Sequence, residues 1–229
     1  MARIILGVTG SVASIRTPAL FAGLRAAGHT VRVVATESAH HFFDSRELAS
    51  DPGDPLPGGP VFRDRDEWPE GRWHRDDPVL HIELRRWADL LAIAPLDANT
   101  LAKLALGLSD NFLTCIFRAW DFARPVVLAP AMNTRMWDSP VTRRHLGQIL
   151  ADWGTGEPVG PWSLDDAGRV FAQHCPGIAL VPPGSKRLAC GDVGLGAMAE
   201  VATILAAIEG RLAVVESIDR DRDPDGSHL

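Results

Sequence analysis

The 229-residue chain has few cysteines: three, Cys115, Cys175 and Cys190, widely spaced and odd in number. Such a set makes neither a disulfide framework nor a zinc site, and leaves room for a single reactive thiol. A basic excess is also missing, since the net charge is -6. Backbone phosphates call for a basic face, so nucleic acid is excluded as the main partner and any anionic ligand must meet local positive charge. No uninterrupted apolar run approaches a membrane span, and Met1-Ala2-Arg3-Ile4 leads straight into a strand instead of a signal peptide. The expectation is a soluble, cytoplasmic protein with no membrane partner. What is present is 46% hydrophobic residues, enough for a full core, in a chain short enough that one domain is the default.

Asp77 to Lys103, DPVLHIELRRWADLLAIAPLDANTLAK, organises the rest of the chain. It reads as a short helix bearing His81, Arg85 and Arg86, an apolar strand from Ala88 to Ala94, and a turn of small polar residues that opens a second helix. Ligands of a doubly wound α/β sheet sit at the carboxyl ends of its strands, which puts Pro95 to Thr100 where a cofactor is held. Arg3 to Val8 is a second apolar strand, followed by Thr9-Gly10-Ser11-Val12-Ala13-Ser14 and an amphipathic helix to about Ala27. Gly10 permits close backbone approach, Ser11 and Ser14 offer hydroxyls, and the helix N-terminus presents N–H groups to an anion such as phosphate. The spacing is not GxGxxG, no acidic residue ends the strand Val31 to Ala35, and an ordinary tight turn fits the same residues. Thr36 and Ser38 after that strand are helix caps before Ala39 to Phe43, ligand groups, or both.

Ser50 to Asp77 is rich in Asp, Pro, Gly and Arg and is expected to be an inserted surface loop, partly disordered. Trp68 and Trp73 within it pack on the body, meet a neighbouring subunit, or stay exposed. Ala98 to Leu106 and Asp110 to Trp120 are predicted helices, with Cys115 read as core packing. Pro125 to Leu128 is a buried strand. Beyond it lies Asn133, an N-cap or a ligand group, with Met132 and Met136 as packing, ahead of a helix to about Trp153. Asp152 to Gly177 is expected to be irregular and Ile178 to Val181 a strand. The glycine-rich loop that follows surrounds Cys190, and Lys186 and Arg187 precede it as cations able to favour a thiolate. The chain closes with a helix from about Met198 to Glu209, a short strand at Leu212 to Val215, and a charged, disordered tail over 216–229.

Five segments, Gly10-Ser11-Val12, DPVLHIELRRWADLLAIAPLDANTLAK, DNFLTCIFRAWD, PAMNTRMW and LACGDVGLGAMAE, together resemble the flavin-dependent cysteine decarboxylase family, most closely its branch acting on phosphopantothenoylcysteine. They span most of Arg3 to Glu200, and the insertions at about 51–77 and 152–177 depart from the pattern. The resemblance implies one FMN-binding α/β domain over 1–215, a three-layer flavodoxin-like or Rossmann doubly wound parallel sheet. It also implies a homotrimer, or an assembly of trimers, with FMN between subunits. Matching positions assign FMN to Gly10, Ser11, Val12, Thr36, Ser38, Phe42, Asp97, Ala98, Asn99, Thr100 and Ala131. They assign substrate to Asn133, Arg86, Met136, Lys186 and Ala189, and catalysis to His81, Asn133 and Cys190.

The implied chemistry follows from a difficulty: losing CO2 from a cysteine leaves a carbanion with nothing to delocalise it. In the family, flavin oxidises CH2–SH to a thioaldehyde, so the electrons can flow onto sulfur as CO2 departs. His81 suits base duty at neutral pH, and Asn133 holds the carboxylate without a strong ion pair. A proton from Cys190 then lets the flavin return its hydride. The expected reaction converts 4'-phosphopantothenoylcysteine to 4'-phosphopantetheine in coenzyme A biosynthesis. Without that proton the product is an enethiol, as in oxidative decarboxylation of the C-terminal cysteine of a precursor peptide, the alternative enzyme reading. A third reading is a regulatory binding protein of the same fold, acting through its charged tail.

Overall fold

The computed structural model describes residues 1–48, 60–67, 71–72, 74–187 and 193–222. Its elements run β1 (Arg3–Val8), α1 (Thr17–Ala26), β2 (Thr30–Ala35), β3 (Val61–Arg63), α2 (Leu80–Trp87), β4 (Leu90–Leu96), α3 (Ala98–Leu106) and α4 (Phe112–Arg118). Then come β5 (Val126–Pro130), α5 (Thr134–Trp137), α6 (Pro140–Trp153), α7 (Ala167–His174), β6 (Ile178–Leu180), β7 (Gly184–Arg187), β8 (Val193–Ala197) and α8 (Val201–Arg222). Six strands form one parallel sheet in the order β3-β2-β1-β4-β5-β6, and β7 and β8 make a separate antiparallel hairpin. The chain leaves β1 toward one edge and β4 toward the other, so the winding reverses between these two central neighbours. That reversal opens a crevice at their carboxyl ends, as expected for the doubly wound sheet.

Every residue of β4 is buried, and its side chains alternate between two cores. Leu91 and Ile93 face one side with Ile5, Val126 and Leu128, under α3, α4 and α6. Leu90, Ala92 and Ala94 face the other with Ile4, Leu6 and Val127, under α1 and α8. Burying each large aliphatic here contributes roughly 1.5–3 kcal/mol, which is why an apolar run with no polar alternation becomes a central strand. Among the described residues no helix is long and apolar enough to cross a membrane.

Four expectations are corrected. Inside the expected loop, Val61–Arg63 pairs in parallel with β2, and Phe62 is buried; three residues between Pro60 and Asp64 are too few to show a period. Phe62 and Trp87 flank the buried Arg32 guanidinium at 5.9 and 4.1 Å from their ring centroids, and burial lowers the Arg32 pKa to about 10. The expected irregular segment contains α7, whose Ala167, Val170 and Phe171 are buried at helical spacing. The helix expected to run on from Asn133 breaks into α5 and α6, where Ser139 caps a helix that begins with Pro140. Finally, Leu212 to Val215 continues α8, and the helix takes in residues 216–222 of the expected tail. Ile204 and Ile208 are buried at a spacing of four, so side-chain packing carries the helix past the β-branched pair Val214-Val215. Trp68, Trp73 and residues 223–229 lie outside the described residues.

Candidate active site

Four turns converge at the carboxyl edge of the sheet. After β1, the Ser11 side chain accepts the Ala13 N–H and caps a 3-10 turn, Val12–Arg16, that runs into α1. The electropositive end of this helical stretch therefore opens at the crevice. The Ser14 hydroxyl is spent inward, donating to the Thr9 carbonyl at 2.7 Å. After β4, Asp97 caps α3, with Oδ1 accepting the Thr100 N–H at 2.6 Å. A Cβ on Gly10 would run into Ser38 Oγ and lie 2.7 Å from Ser38 Cβ and 3.3 Å from Asp97 Oδ2. Only glycine lets the turns after β1, β2 and β4 close on one another.

After β5, Asn133 caps α5, its Oδ1 accepting the Arg135 N–H at 2.9 Å. The N-cap reading holds, and the residue still lines the crevice. The β8 strand lies alongside this turn: the Met132 N–H donates to the Gly196 carbonyl at 2.9 Å. Gly196 has φ +137°, and a Cβ there would run into the Met132 carbonyl. The hairpin that brackets Leu188 to Asp192 in sequence is thus anchored beside Asn133.

The turns wall a cleft of about 590 Å³. Of the residues expected at the site, Gly10, Ser11, Val12, Asp97, Ala98, Asn99, Ala131, Asn133 and Met136 line it. Sequence reasoning missed Ala13, Ile15, Arg16, Met132, Gly196, Ala197 and Met198, which line it too. Helical spacing from Val12 signals Ile15 and Arg16, because residues three and four apart share a face. Arg16 also pairs with Glu200 at 3.3 Å. Ile15 and Met136 are more than half exposed at the rim.

Other expected residues stand apart from the lining. Ser38 lies behind Gly10, its hydroxyl 3.2 Å from that of Thr36, and Thr100 is buried beneath its cap. Thr36 begins the following 3-10 turn without a side-chain capping bond. Phe42 belongs to a separate depression with His40, Arg46 and Arg63. Ala189 and Cys190 lie outside the described residues, as does the side chain of Lys186.

His81 and Arg86 sit on α2, away from the cleft lining. Arg86 pairs loosely with Glu83 at 3.4 Å. The end of α2 is pinned by Arg124, whose Nη1 donates to the Arg85 and Ala88 carbonyls at 3.0 and 2.7 Å. At its start, His81 Nδ1 lies 2.7 Å from Glu67 Oε1, a partner that no spacing rule points to.

Neither described cysteine has the environment of a reactive thiolate. Cys175 is fully buried, which pushes its thiol up to about 11. Cys115 is half-buried instead of a core residue, and its thiol donates to the Ser109 carbonyl at 3.3 Å. Burial, then the charges of Glu67, Asp110 and Asp64, push its pKa up.

A family model described as Flavoprotein matches residues 1–213. The chain belongs to the flavoprotein family. Within it, the phosphopantothenoylcysteine decarboxylase of Mus musculus is 42% identical over 219 residues, covering 95% of this chain and 91% of the mouse protein. Among solved structures, a PPC decarboxylase mutant complexed with pantothenoylaminoethenethiol is 44% identical, covers 91% of this chain and 96% of its own, and superposes with a TM-score of 0.70. The FMN binding protein AtHal3 is 45% identical over 91% of this chain and 95% of its own, with a TM-score of 0.66.

Proposed function

We propose that this flavoprotein is an FMN-dependent cysteine decarboxylase converting 4'-phosphopantothenoylcysteine to 4'-phosphopantetheine in the cytoplasm, as a step of coenzyme A biosynthesis. The observation that carries the reading is the cleft at the winding reversal. There the Gly10 turn, the Asp97 turn and the Asn133 turn meet beside the hairpin whose sequence includes Cys190.

The residues fit FMN. The close contact at Gly10 leaves backbone next to the ligand, and the helical N-terminus after it suits a phosphate. Ser11, Asp97 and Asn99 offer polar groups for the ribityl chain, with Ser38 and Thr36 behind Gly10. Val12, Ala131 and Met132 give apolar walls to a flat ring. When bound, FMN supplies a two-electron acceptor, which gives the substrate the C=S bond that decarboxylation needs as an electron sink.

The remaining work falls to side chains. The N-cap bond fixes the orientation of the Asn133 amide, whose NH2 is the donor end for the substrate carboxylate. A neutral donor holds that carboxylate without the ion pair that would oppose CO2 loss. His81 accepts the thiol proton, Cys190 Sγ–H returns one to the product, and Lys186 or Arg187 meets the substrate phosphate.

A trimer with FMN between subunits completes the site. The exposed apolar rim of Val12, Ile15 and Met136 supports this, as does the position of His81 outside the lining of its own chain's cleft. The test is mass spectrometry of products after incubation with 4'-phosphopantothenoylcysteine and, separately, with a peptide ending in cysteine. Loss of CO2 alone from the small substrate is expected. Loss of CO2 and two hydrogens from the peptide, with the small substrate untouched, would replace this reading with the oxidative one.

A further inference from the structure

We infer that Glu67 is the positioning residue of the reaction, holding His81 so that Nε2 is its proton acceptor; this rests on the proposed role of His81 as base. Glu67 ends a 3-10 turn, Asp64–Glu67, and its side chain is 9% exposed. Both oxygens grip one residue: Oε1 lies 2.7 Å from His81 Nδ1, and Oε2 accepts the His81 backbone N–H at 3.2 Å.

An ionised carboxylate has no proton to give, so the short contact requires the hydrogen on Nδ1. The lone pair of the neutral ring is then on Nε2, which hydrogen-bonds to nothing among the described residues, while the side chain stays 21% exposed. A ring held at its backbone and at Nδ1 can turn little. When Nε2 takes the proton of the substrate thiol, the imidazolium forms against a carboxylate already in place, and low solvent access strengthens that attraction.

The carboxylate is itself well supported. Asp64 Oδ1 accepts the Phe112 N–H at 3.0 Å, tying the turn to the start of α4. Asp66 Oδ2 accepts the Arg63 N–H at 2.8 Å, closing the turn onto β3. With Phe62 buried and β3 in the sheet, the segment 61–67 is a strap across α2 and α4. Its three acidic residues Asp64, Asp66 and Glu67 each have a separate backbone or side-chain partner.

The test uses FMN-loaded protein carrying ring-15N histidine, with His81→Asn identifying the resonance and reporting whether turnover needs this residue. Wild type should show neutral His81 protonated at Nδ1. Glu67→Gln, which keeps an acceptor but no charge, should keep that tautomer while kcat falls. Glu67→Ala should lose the tautomer preference and about 10–100-fold in kcat, with KM within about twofold and flavin content unchanged. Three results would overturn the inference: an Nε2–H tautomer in wild type, an unchanged kcat per flavin in Glu67→Ala, or a loss wholly accounted for by lost flavin. Retained turnover in His81→Asn overturns instead the functional reading beneath it.

Discussion

The hydroxyl of Thr9 bridges to the turn that begins at Asp97. Oγ1 accepts the Asp97 N–H at 2.7 Å and donates to the Pro95 carbonyl at 2.8 Å, and the residue is fully buried. One side chain thus locks the end of β1 to the turn after β4, the two strands between which the winding reverses. The relative placement of Gly10 and Asp97, and so the shape of the cleft floor, depends on it.

Thr9→Val keeps the volume but strips both bonds, leaving a part-buried N–H and a buried carbonyl short of a partner. Each unsatisfied group costs about 1–3 kcal/mol, so the variant should melt well below wild type and purify with less flavin. Thr9→Ser keeps the hydroxyl and should retain flavin near the wild-type level. Thermal melts and flavin absorbance per protomer check both; equal melting of Thr9→Val and wild type would show that the bridge is idle.

Gly10→Ala puts a methyl group into Ser38, on a turn with little room to yield. The expected outcome is a folded protein, judged by circular dichroism, with flavin occupancy reduced several-fold. Adding Ser38→Gly removes both the Oγ and the Cβ that the methyl meets, and flavin should return in part. If the single variant binds flavin normally, the close approach at Gly10 is not what admits the cofactor.

What could be read in advance followed from how local each feature is. The apolar run from Leu90 and the small polar residues from Asp97 declare a buried strand and a capped helix within a dozen positions, and both appear. The three-residue β3 sits among Pro, Gly and Asp, where no period can develop. Val214-Val215 carries strand propensity, but buried Ile204 and Ile208 make that stretch the continuation of a helix. The Glu67–His81 pair joins residues 14 apart with no regular spacing, and so is visible only once the strap is folded. His81 and Arg86 matched a family pattern, yet they lie on α2 outside the cleft lining, because a sequence pattern carries no measure of distance across the fold.

The described thiols should be slow to alkylate. Cys175 is buried with a pKa pushed up to about 11, so at pH 8 almost none of it is thiolate even when a reagent gains access. Burial also pushes Cys115 up, with Glu67 next in effect, although its partial exposure allows slow reaction. Iodoacetamide at pH 8 followed by peptide mass mapping should leave Cys175 unmodified, with Cys115 labelled more as the pH rises. Cys115→Ser should leave turnover unchanged; a large loss would mean that this thiol contributes to the reaction.

Asp89 gives the fold a defined acid response. Its Oδ1 accepts Arg3 Nη2 at 2.7 Å and its Oδ2 accepts the Arg3 N–H at 2.8 Å, joining the first residue of β1 to the residue before β4. Burial pushes the carboxyl pKa up, but the Arg3 side-chain and backbone bonds together push it further down, to a net position below the ordinary carboxylate range. A depressed carboxylate pKa gives stability that is fully present above the unfolded value and is lost as pH falls through the folded one. Asp89→Asn should therefore be less stable than wild type at pH 7, with the gap closing as the pH drops below about 4. Both side chains are partly exposed, so the gap at pH 7 should stay near or below about 1 kcal/mol and shrink in salt. Urea unfolding of the two proteins side by side cancels every other titrating group; a gap that holds constant or widens on acidification would mean that the pair does not stabilise the fold through its charge.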